Sequence, residues 1–241
     1  MIVRILCCKI ATVFFALCLV FLSTTSGQTA KEIANYASPS VVLLVGTNAK
    51  GKPVSLGSGF FVREDVIATN YHVIKGSKRL YIKLIGQRKL WPIEKVLASD
   101  SQRDLAILRI SSITRKPLSL GDSDSLATGE DVYAIGNPEG LESTFSQGIV
   151  SGFRQFDGKR YIQITAPISQ GSSGGPILGK SGDVVGITVG TLRQGQNLNF
   201  AIPVSYLISL LEQESATDEE PELYQKFLEK KLPAGNIEKA G

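Results

Sequence analysis

Residues 170–177 read QGSSGGPI: three glycines and two serines in eight positions, with Pro176 near the end. An ordinary turn needs one or two glycines, at positions where the backbone takes angles that other residues avoid. Three glycines bracketing Ser173 imply backbone held in a special shape around one hydroxyl. A serine hydroxyl is a poor nucleophile by itself and needs a base within hydrogen-bond reach. A reactive Ser173 therefore requires that the rest of the chain supply that base and a scaffold to carry it.

Working outward, the texture from Ser40 onward is one of short apolar runs punctuated by glycine: SVVLLVG, GSGFFV, DVIATN, LYIKLIG, LAILRI, VYAIG, GIVSGF, YIQIT and VVGITVG. Many short strands at regular spacing, with turn signals between them, indicate an all-β sandwich or barrel rather than alternating β-α units. The span is long for one small barrel and suits two, about 40–118 and 119–202, with a divide near Pro117 to Ser123. Helices are expected only at the ends. Thr29 and Glu32 have the spacing of a capping box, and Ile33 can turn inward. After Pro203, the residues Val204, Leu207, Leu210 and Leu211 recur at helical spacing, so a helix is expected to pack back on the second barrel. Residues 214–241 are charged and poor in apolar side chains, and read as a C-terminal tail.

The first residues read as an address. Arg4 and Lys9 form a basic start, and the apolar run Ile10 to Leu22 is too short for the roughly 20 residues of a membrane-spanning helix. Small polar residues follow, so 1–27 is expected to be a cleaved secretory signal, with an uncleaved membrane anchor as the alternative. A lipid anchor at Cys18 is disfavoured by the bulky Leu17 before it. All three cysteines, Cys7, Cys8 and Cys18, lie inside this segment. The exported domain, 28–213, is thus expected to hold together by its core without disulfides. Removal of Arg4 and Lys9 leaves 24 basic against 22 acidic residues, a balance that does not point to nucleic acid.

His72 is the only histidine, and it follows a strand-like run in IATNYHVI. A lone histidine is more often structural, Ser173 alone more often a turn serine, and an aspartate before LAILRI more often a solvated strand edge. The conjunction changes the weight: His72, then Asp104, then Ser173 is the order His, Asp, Ser used by chymotrypsin-like β-barrels.

Seven blocks, GSGFFV, TNYHV, DLAILRI, AIGNPEG, QGIVSG, GSSGGP and LNFAIP, together resemble the trypsin-like proteases of the HtrA (DegP-like) group over roughly residues 31–211. The resemblance implies a chymotrypsin-like double β-barrel with a short N-terminal and a C-terminal helix. It implies six strands in each barrel, with His72 and Asp104 in the first and Ser173 in the second. The implied activity is serine endopeptidase chemistry. Asp100 is a nearby competitor for the acid, and Asp104 is preferred because the family motif places the acid directly before Leu-Ala. The backbone amides of Gly171 and Ser173 are expected to form the oxyanion hole, and Gly174 and Gly175 to allow close approach of chain behind the nucleophile.

Several departures qualify the resemblance. Digestive trypsin-like enzymes carry Asp before the nucleophile, where this chain has Ser172. No PDZ domain of the kind HtrA proteases carry is expected after Leu211, and the loop between Phe153 and Tyr161 is short. The usual Thr-Asp-Ala-Ala segment is altered to Thr165-Ala166-Pro167-Ile168. If Pro167, Ile168 and Gln170 line the primary pocket with Thr188, Val189 and Gly190, that pocket holds no acidic residue. An aliphatic side chain is then the expected occupant, with Ile187 to Gly190 offering a backbone edge to substrate. Polypeptides are the expected partners. No cofactor and no metal are expected, no nucleic acid, and no membrane once the signal is cleaved; the oligomeric state stays open. The competing reading is a latent protease-fold protein that binds unfolded chains.

Overall fold

The computed structural model describes residues 28–137, 144–191 and 198–215. The expected signal, 1–27, and nearly all of the expected tail lie outside the described residues. The chain enters through the expected helix, α1 (Ala30–Ala37). The Thr29 N–H donates to Glu32 Oε2 at 2.8 Å and the Glu32 N–H donates to Thr29 Oγ1 at 3.3 Å. One reciprocal pair of side chains thus closes two amides that the helix start would leave open. The donated Thr29 N–H, and after it the Thr29 hydroxyl, favour the carboxylate and hold Glu32 below the usual carboxyl range. Ile33 and Ala37 point inward and are fully buried.

Seven antiparallel strands follow: β1 (Val41–Thr47), β2 (Pro53–Arg63), β3 (Val66–Thr69), β4 (Arg79–Leu84), β5 (Leu90–Pro92), β6 (Lys95–Asp100) and β7 (Leu105–Arg109). They form one sheet in the order β5-β4-β1-β2-β3-β7-β6, with the short helix α2 (Tyr71–Ile74) between β3 and β4. A six-stranded barrel was the expectation, and the structure modifies it. The two edge strands, β5 and β6, do not pair with each other. The reason lies at the link between them. The Ile93 N–H donates to Leu80 O of β4 at 2.9 Å, and the next amide, Glu94, donates to Arg109 O of β7 at 3.0 Å. One bent stretch, 90–100, therefore serves both edges, and the chain itself closes the sheet where a hydrogen-bonded ladder does not.

The second sheet matches the expected six strands: β8 (Asp131–Gly136), β9 (Thr144–Phe156), β10 (Lys159–Ile164), β11 (Pro176–Leu178), β12 (Val184–Thr191) and β13 (Asn199–Pro203). They close into a barrel in the order β10-β13-β12-β11-β8-β9. The short β9–β10 loop turns at Asp157 and Gly158, whose φ values of 50° and 74° suit a tight two-residue hairpin.

Apolar side chains collect in three places. Val42, Leu44, Phe61, Ile67, Ile82, Ala106 and Leu108 fill the first sheet, while Val132, Val150, Ile162, Ile164, Ile177 and Val185 fill the second. A third cluster lies between the sheets, with Phe60, Leu105, Ile107, Ile135, Ile187 and Ile202 at its centre. Alternation along β7 shows the arrangement: Leu105 and Ile107 face the second sheet, Ala106 and Leu108 the interior of the first. Burial on both faces explains why these strands read as unbroken apolar runs.

The final helix, α3 (residues 204–215), lays Val204, Leu207, Leu210 and Leu211 onto this same central cluster. The expected contact with the second barrel alone is thus too narrow, because α3 also reaches the first sheet. Arg63 of β2 pairs with Glu214 at 2.8 Å and donates to Ser215 Oγ at 2.9 Å. Glu214 and Ser215, assigned to the tail from sequence, continue the helix because this ion pair and burial hold them. No described helix is long and apolar enough to cross a membrane.

Candidate active site

β3 ends at Thr69, and the buried Asn70 then turns the chain into α2, which presents His72. Asp104 stands at the entrance to β7, with φ of 57°, a left-handed value that a residue other than glycine takes only when its surroundings hold it there. Here they do. The carboxylate accepts the His72 N–H at 2.8 Å and meets His72 Nδ1 at 2.6 Å. The Asp104 carbonyl accepts the Tyr71 N–H at 3.1 Å and Asn70 Nδ2 at 2.9 Å. An ionised carboxylate only accepts, so in the neutral imidazole Nδ1 carries the proton and Nε2 keeps a lone pair. The histidine side chain remains 47% exposed and Asp104 22%, so the pair opens to solvent on one side.

The competing carboxylate has another task. Asp100 Oδ1 accepts the N–H groups of Gln102 and Arg103, both at 2.8 Å, and so closes the turn that delivers Asp104. Across from that turn, Tyr161 of the second barrel lies close enough to register the Asp104 charge. Burial first, then Asp104, Asp157 and Tyr206, push its phenol above the usual value.

Ser173 follows β10 in the loop that leads to β11. The backbone there can be accounted for group by group. The Ser172 N–H donates to Ser169 O at 3.0 Å, the Gly174 N–H to Thr188 O at 2.8 Å and the Gly175 N–H to Ser172 O at 3.0 Å. Thr188 N–H donates back to Gly175 O at 2.9 Å. Among the described residues, the N–H groups of Gly171 and Ser173 donate to nothing. Gly171 and Gly174 have φ of 97° and 86°, which explains two of the glycines that mark this stretch.

Close approach explains the glycines further. A Cβ on Gly174 would lie 2.2 Å from Ser58 O and 2.4 Å from Thr69 Oγ1, and one on Gly175 would lie 2.3 Å from Ile135 O. From the other side, a Cβ on Gly57 would lie 2.6 Å from Val73 and 3.1 Å from Ser173 O. The loop thus abuts both the first sheet and the helix that carries His72. The hydroxyl of Ser173 itself is turned elsewhere. It donates to Val189 O at 3.3 Å and makes no hydrogen bond with His72. Val189 is free to accept because the β12–β13 ladder steps from Thr188 to Gly190 and skips it.

Six residues are expected to line one pocket, and the structure places them on two segments, the stretch after β10 and the strand β12. Pro167 and Ile168 face a cavity of about 160 Å³ with Ala134, Ile135, Thr144 and Ser172, behind the loop. Thr188, Val189 and Gly190 lie on β12, with Val189 packed against the central cluster, and Gln170 is exposed. Two residues were missed at the sequence level although their motifs were quoted. Ser58 of GSGFFV hydrogen-bonds to the loop from the opposite sheet, and the N–H of Asn137, in AIGNP, donates to Ser58 Oγ at 2.9 Å.

Comparisons with known proteins bear on the family and the fold. A family model, the trypsin-like peptidase domain, matches residues 57–187. The probable periplasmic serine endoprotease DegP-like of Hahella chejuensis is 38% identical over 167 residues, which cover 66% of this chain and 35% of that protein. The human serine protease HTRA4 is 40% identical over 162 residues, 63% of this chain and 33% of its own length. The chain therefore spans about a third of the length of these curated relatives. A solved HtrA-type protease, AlgW with tripeptide, superposes with a TM-score of 0.69 at 29% identity, covering 77% of this chain and 63% of that one. Both sheets, the order of the seven motif blocks and a family match over more than half of the 241 residues converge, and the chain belongs to the trypsin-like peptidase family.

Proposed function

We propose that this protein is a serine endopeptidase that cuts exported, unfolded or misfolded polypeptides. The observation that carries the reading is a pairing of two features. His72 keeps an accepting Nε2 because Asp104 occupies Nδ1, and the loop around Ser173 leaves two N–H groups, Gly171 and Ser173, without an acceptor among the described residues. In this reading the Ser173 Oγ attacks the scissile carbonyl while Nε2 takes its proton. Asp104 stabilises the imidazolium, and the two free amides receive the oxyanion. His72 then returns the proton to the leaving amine, and water hydrolyses the acyl-enzyme by the same steps. The first motion required is a rotation of the Ser173 side chain away from Val189 O. Catalytic hydrogen bonds in unliganded enzymes are often unformed and tighten when substrate arrives.

The preference we assign is a small or medium aliphatic residue before the cut bond, since no acidic side chain stands among Pro167, Ile168, Gln170, Thr188, Val189 and Gly190. Export is inferred from the basic and apolar start of the sequence, and the Hahella chejuensis relative is itself described as periplasmic. A second reading, a latent protease-fold protein that binds unfolded chains, is favoured by the resting hydrogen bond of Ser173 to Val189.

One experiment separates the two readings. The purified protein is treated with a fluorophosphonate probe and incubated with a denatured-protein digest whose cleavage sites are read by mass spectrometry. Labelling and cleavage after aliphatic residues, both lost in Ser173→Ala, are the expected result. Triad loss in serine proteases costs on the order of 10⁶ in rate. Binding of unfolded chains with neither labelling nor cleavage overturns the proposal, and inactivation by Ser172→Ala with an active Ser173→Ala would move the nucleophile to Ser172.

A further inference from the structure

We infer that Ser58 is a positioning residue for the oxyanion-binding amides, a role that rests on the peptidase reading above and extends it to a residue of the opposite sheet. Ser58 lies in the middle of β2 and is fully buried. It touches the nucleophile loop twice. Its N–H donates to Ser173 O at 2.7 Å, and its Oγ donates to Gly171 O at 2.7 Å. The same Oγ accepts the Asn137 N–H at 2.9 Å and lies 3.3 Å from Asn137 Nδ2. The hydroxyl proton therefore has a single destination, because Asn137 supplies donors and Gly171 supplies the acceptor.

The consequence concerns peptide planes. The Ser173 N–H belongs to the 172–173 peptide, whose own carbonyl is taken by Gly175 N–H. The peptide before it is pinned at both ends, Gly171 O by the Ser58 hydroxyl and Ser172 N–H by Ser169 O. The peptide after it is pinned likewise, Ser173 O by the Ser58 N–H and Gly174 N–H by Thr188 O. Two of these four anchors come from one residue. Gly171 has no Cβ and a φ of 97°, so nothing in its own chemistry selects this orientation over others. The Ser58 hydroxyl supplies the selection. The backbone anchor survives any substitution at this position except proline, whereas the hydroxyl anchor is lost on truncation, which makes its contribution separable.

A buried serine could instead serve only to satisfy its neighbours, and the test distinguishes the two roles. Ser58→Ala is compared with Ser58→Cys, which keeps the volume but donates weakly, and with Ser40→Ala. Ser40 is also buried, and its hydroxyl donates to Lys116 O at 2.6 Å rather than to the nucleophile loop. Steady-state cleavage of an aliphatic-site peptide is measured well below each melting temperature, together with affinity for a peptide aldehyde whose tetrahedral adduct occupies the oxyanion site. Removal of one oxyanion donor costs about 10²–10³ in kcat, and displacement of the loop without loss of the donor is expected to cost roughly 10–10². The expected result is that Ser58→Ala lowers kcat and aldehyde affinity by similar factors while KM changes less than about threefold. Ser58→Cys should fall between it and the parent, and Ser40→Ala should keep kcat. A Ser58→Ala or Ser58→Cys protein with unchanged kcat and aldehyde affinity overturns the inference, as does a loss confined to KM. A parent protein that neither reacts with fluorophosphonate nor cleaves would instead defeat the peptidase reading itself.

Discussion

Replacing Gly174 with alanine would put a methyl group where the loop around Ser173 meets the first sheet. The new Cβ would stand 2.2 Å from Ser58 O, 2.4 Å from Thr69 Oγ1 and 3.1 Å from the Asn70 nitrogen, two of them backbone atoms that cannot rotate away. The residue would also be held at φ of 86°. The left-handed backbone costs an alanine roughly 1–2 kcal/mol, and insertion of a methyl into packed surroundings costs about 1–3 kcal/mol more. The sum is about 2–5 kcal/mol. For a domain of this size each kcal/mol lowers Tm by roughly 2–4 °C, so the expected drop is between about 4 and 20 °C. Thermal unfolding followed by circular dichroism measures it directly. Gly190→Ala is the matched control, since a Cβ there meets nothing within 4 Å, and its Tm should stay within about 2 °C of the parent. Peptide cleavage by Gly174→Ala should fall even at temperatures where the protein is folded, because relief of the clash moves the residue next to Ser173. A Gly174→Ala protein with parental Tm and parental kcat would refute the close approach on which the site is built.

Three further outcomes are expected. Asp104→Asn should lower kcat by about 10⁴ by favouring the wrong histidine tautomer, whereas Asp100→Asn, which keeps an accepting oxygen for the Gln102 and Arg103 amides, should cost far less; the reverse order in peptide assays would reassign the acid. Glu32 is held below its usual pKa by Thr29, so its contribution is present above the unfolded carboxyl value and is lost as pH falls through the folded one. The Tm difference between the parent and Glu32→Gln should therefore shrink toward zero as pH drops below about 4, and a gap that widens in acid would contradict the sign. Because every cysteine lies within the first 18 residues, a protein prepared from residue 28 onward should show the same Tm with and without dithiothreitol.

Local signals were the readable part of this molecule. Thr29 and Glu32 announced their capping box because both partners lie within one helical turn, and the apolar period of 204–211 announced α3. Nine of the thirteen strands were legible as short apolar runs with turn signals between them, and β5, β6, β11 and β13 were not among those nine. What the sequence hid depends on partners far apart in the chain. The Ser58 hydroxyl finds Gly171 across 113 positions, and a small polar residue between two glycines carries no mark of that destination. The bent stretch 90–100 hid too, because two edge strands that share one link have the same local pattern as two that pair. Whether the Ser173 hydroxyl points at His72 or Val189 is a matter of one side-chain torsion, and no spacing encodes it.

The cluster between the sheets has a consequence for the birth of the protein. It draws Ile33 and Ala37 from the first described helix and Val204, Leu207, Leu210 and Leu211 from the last. During synthesis the first sheet leaves the ribosome complete, with His72 and Asp104 already aboard, well before the second barrel exists. Only when α3 has emerged can Arg63 take hold of Glu214 and the apolar layer that presses the two halves together be finished. A nascent chain thus carries a base without its nucleophile and then a nucleophile without its full support. The last described helix thus works as a latch, because the capacity we propose for cutting polypeptides depends on a segment made after every residue of the site.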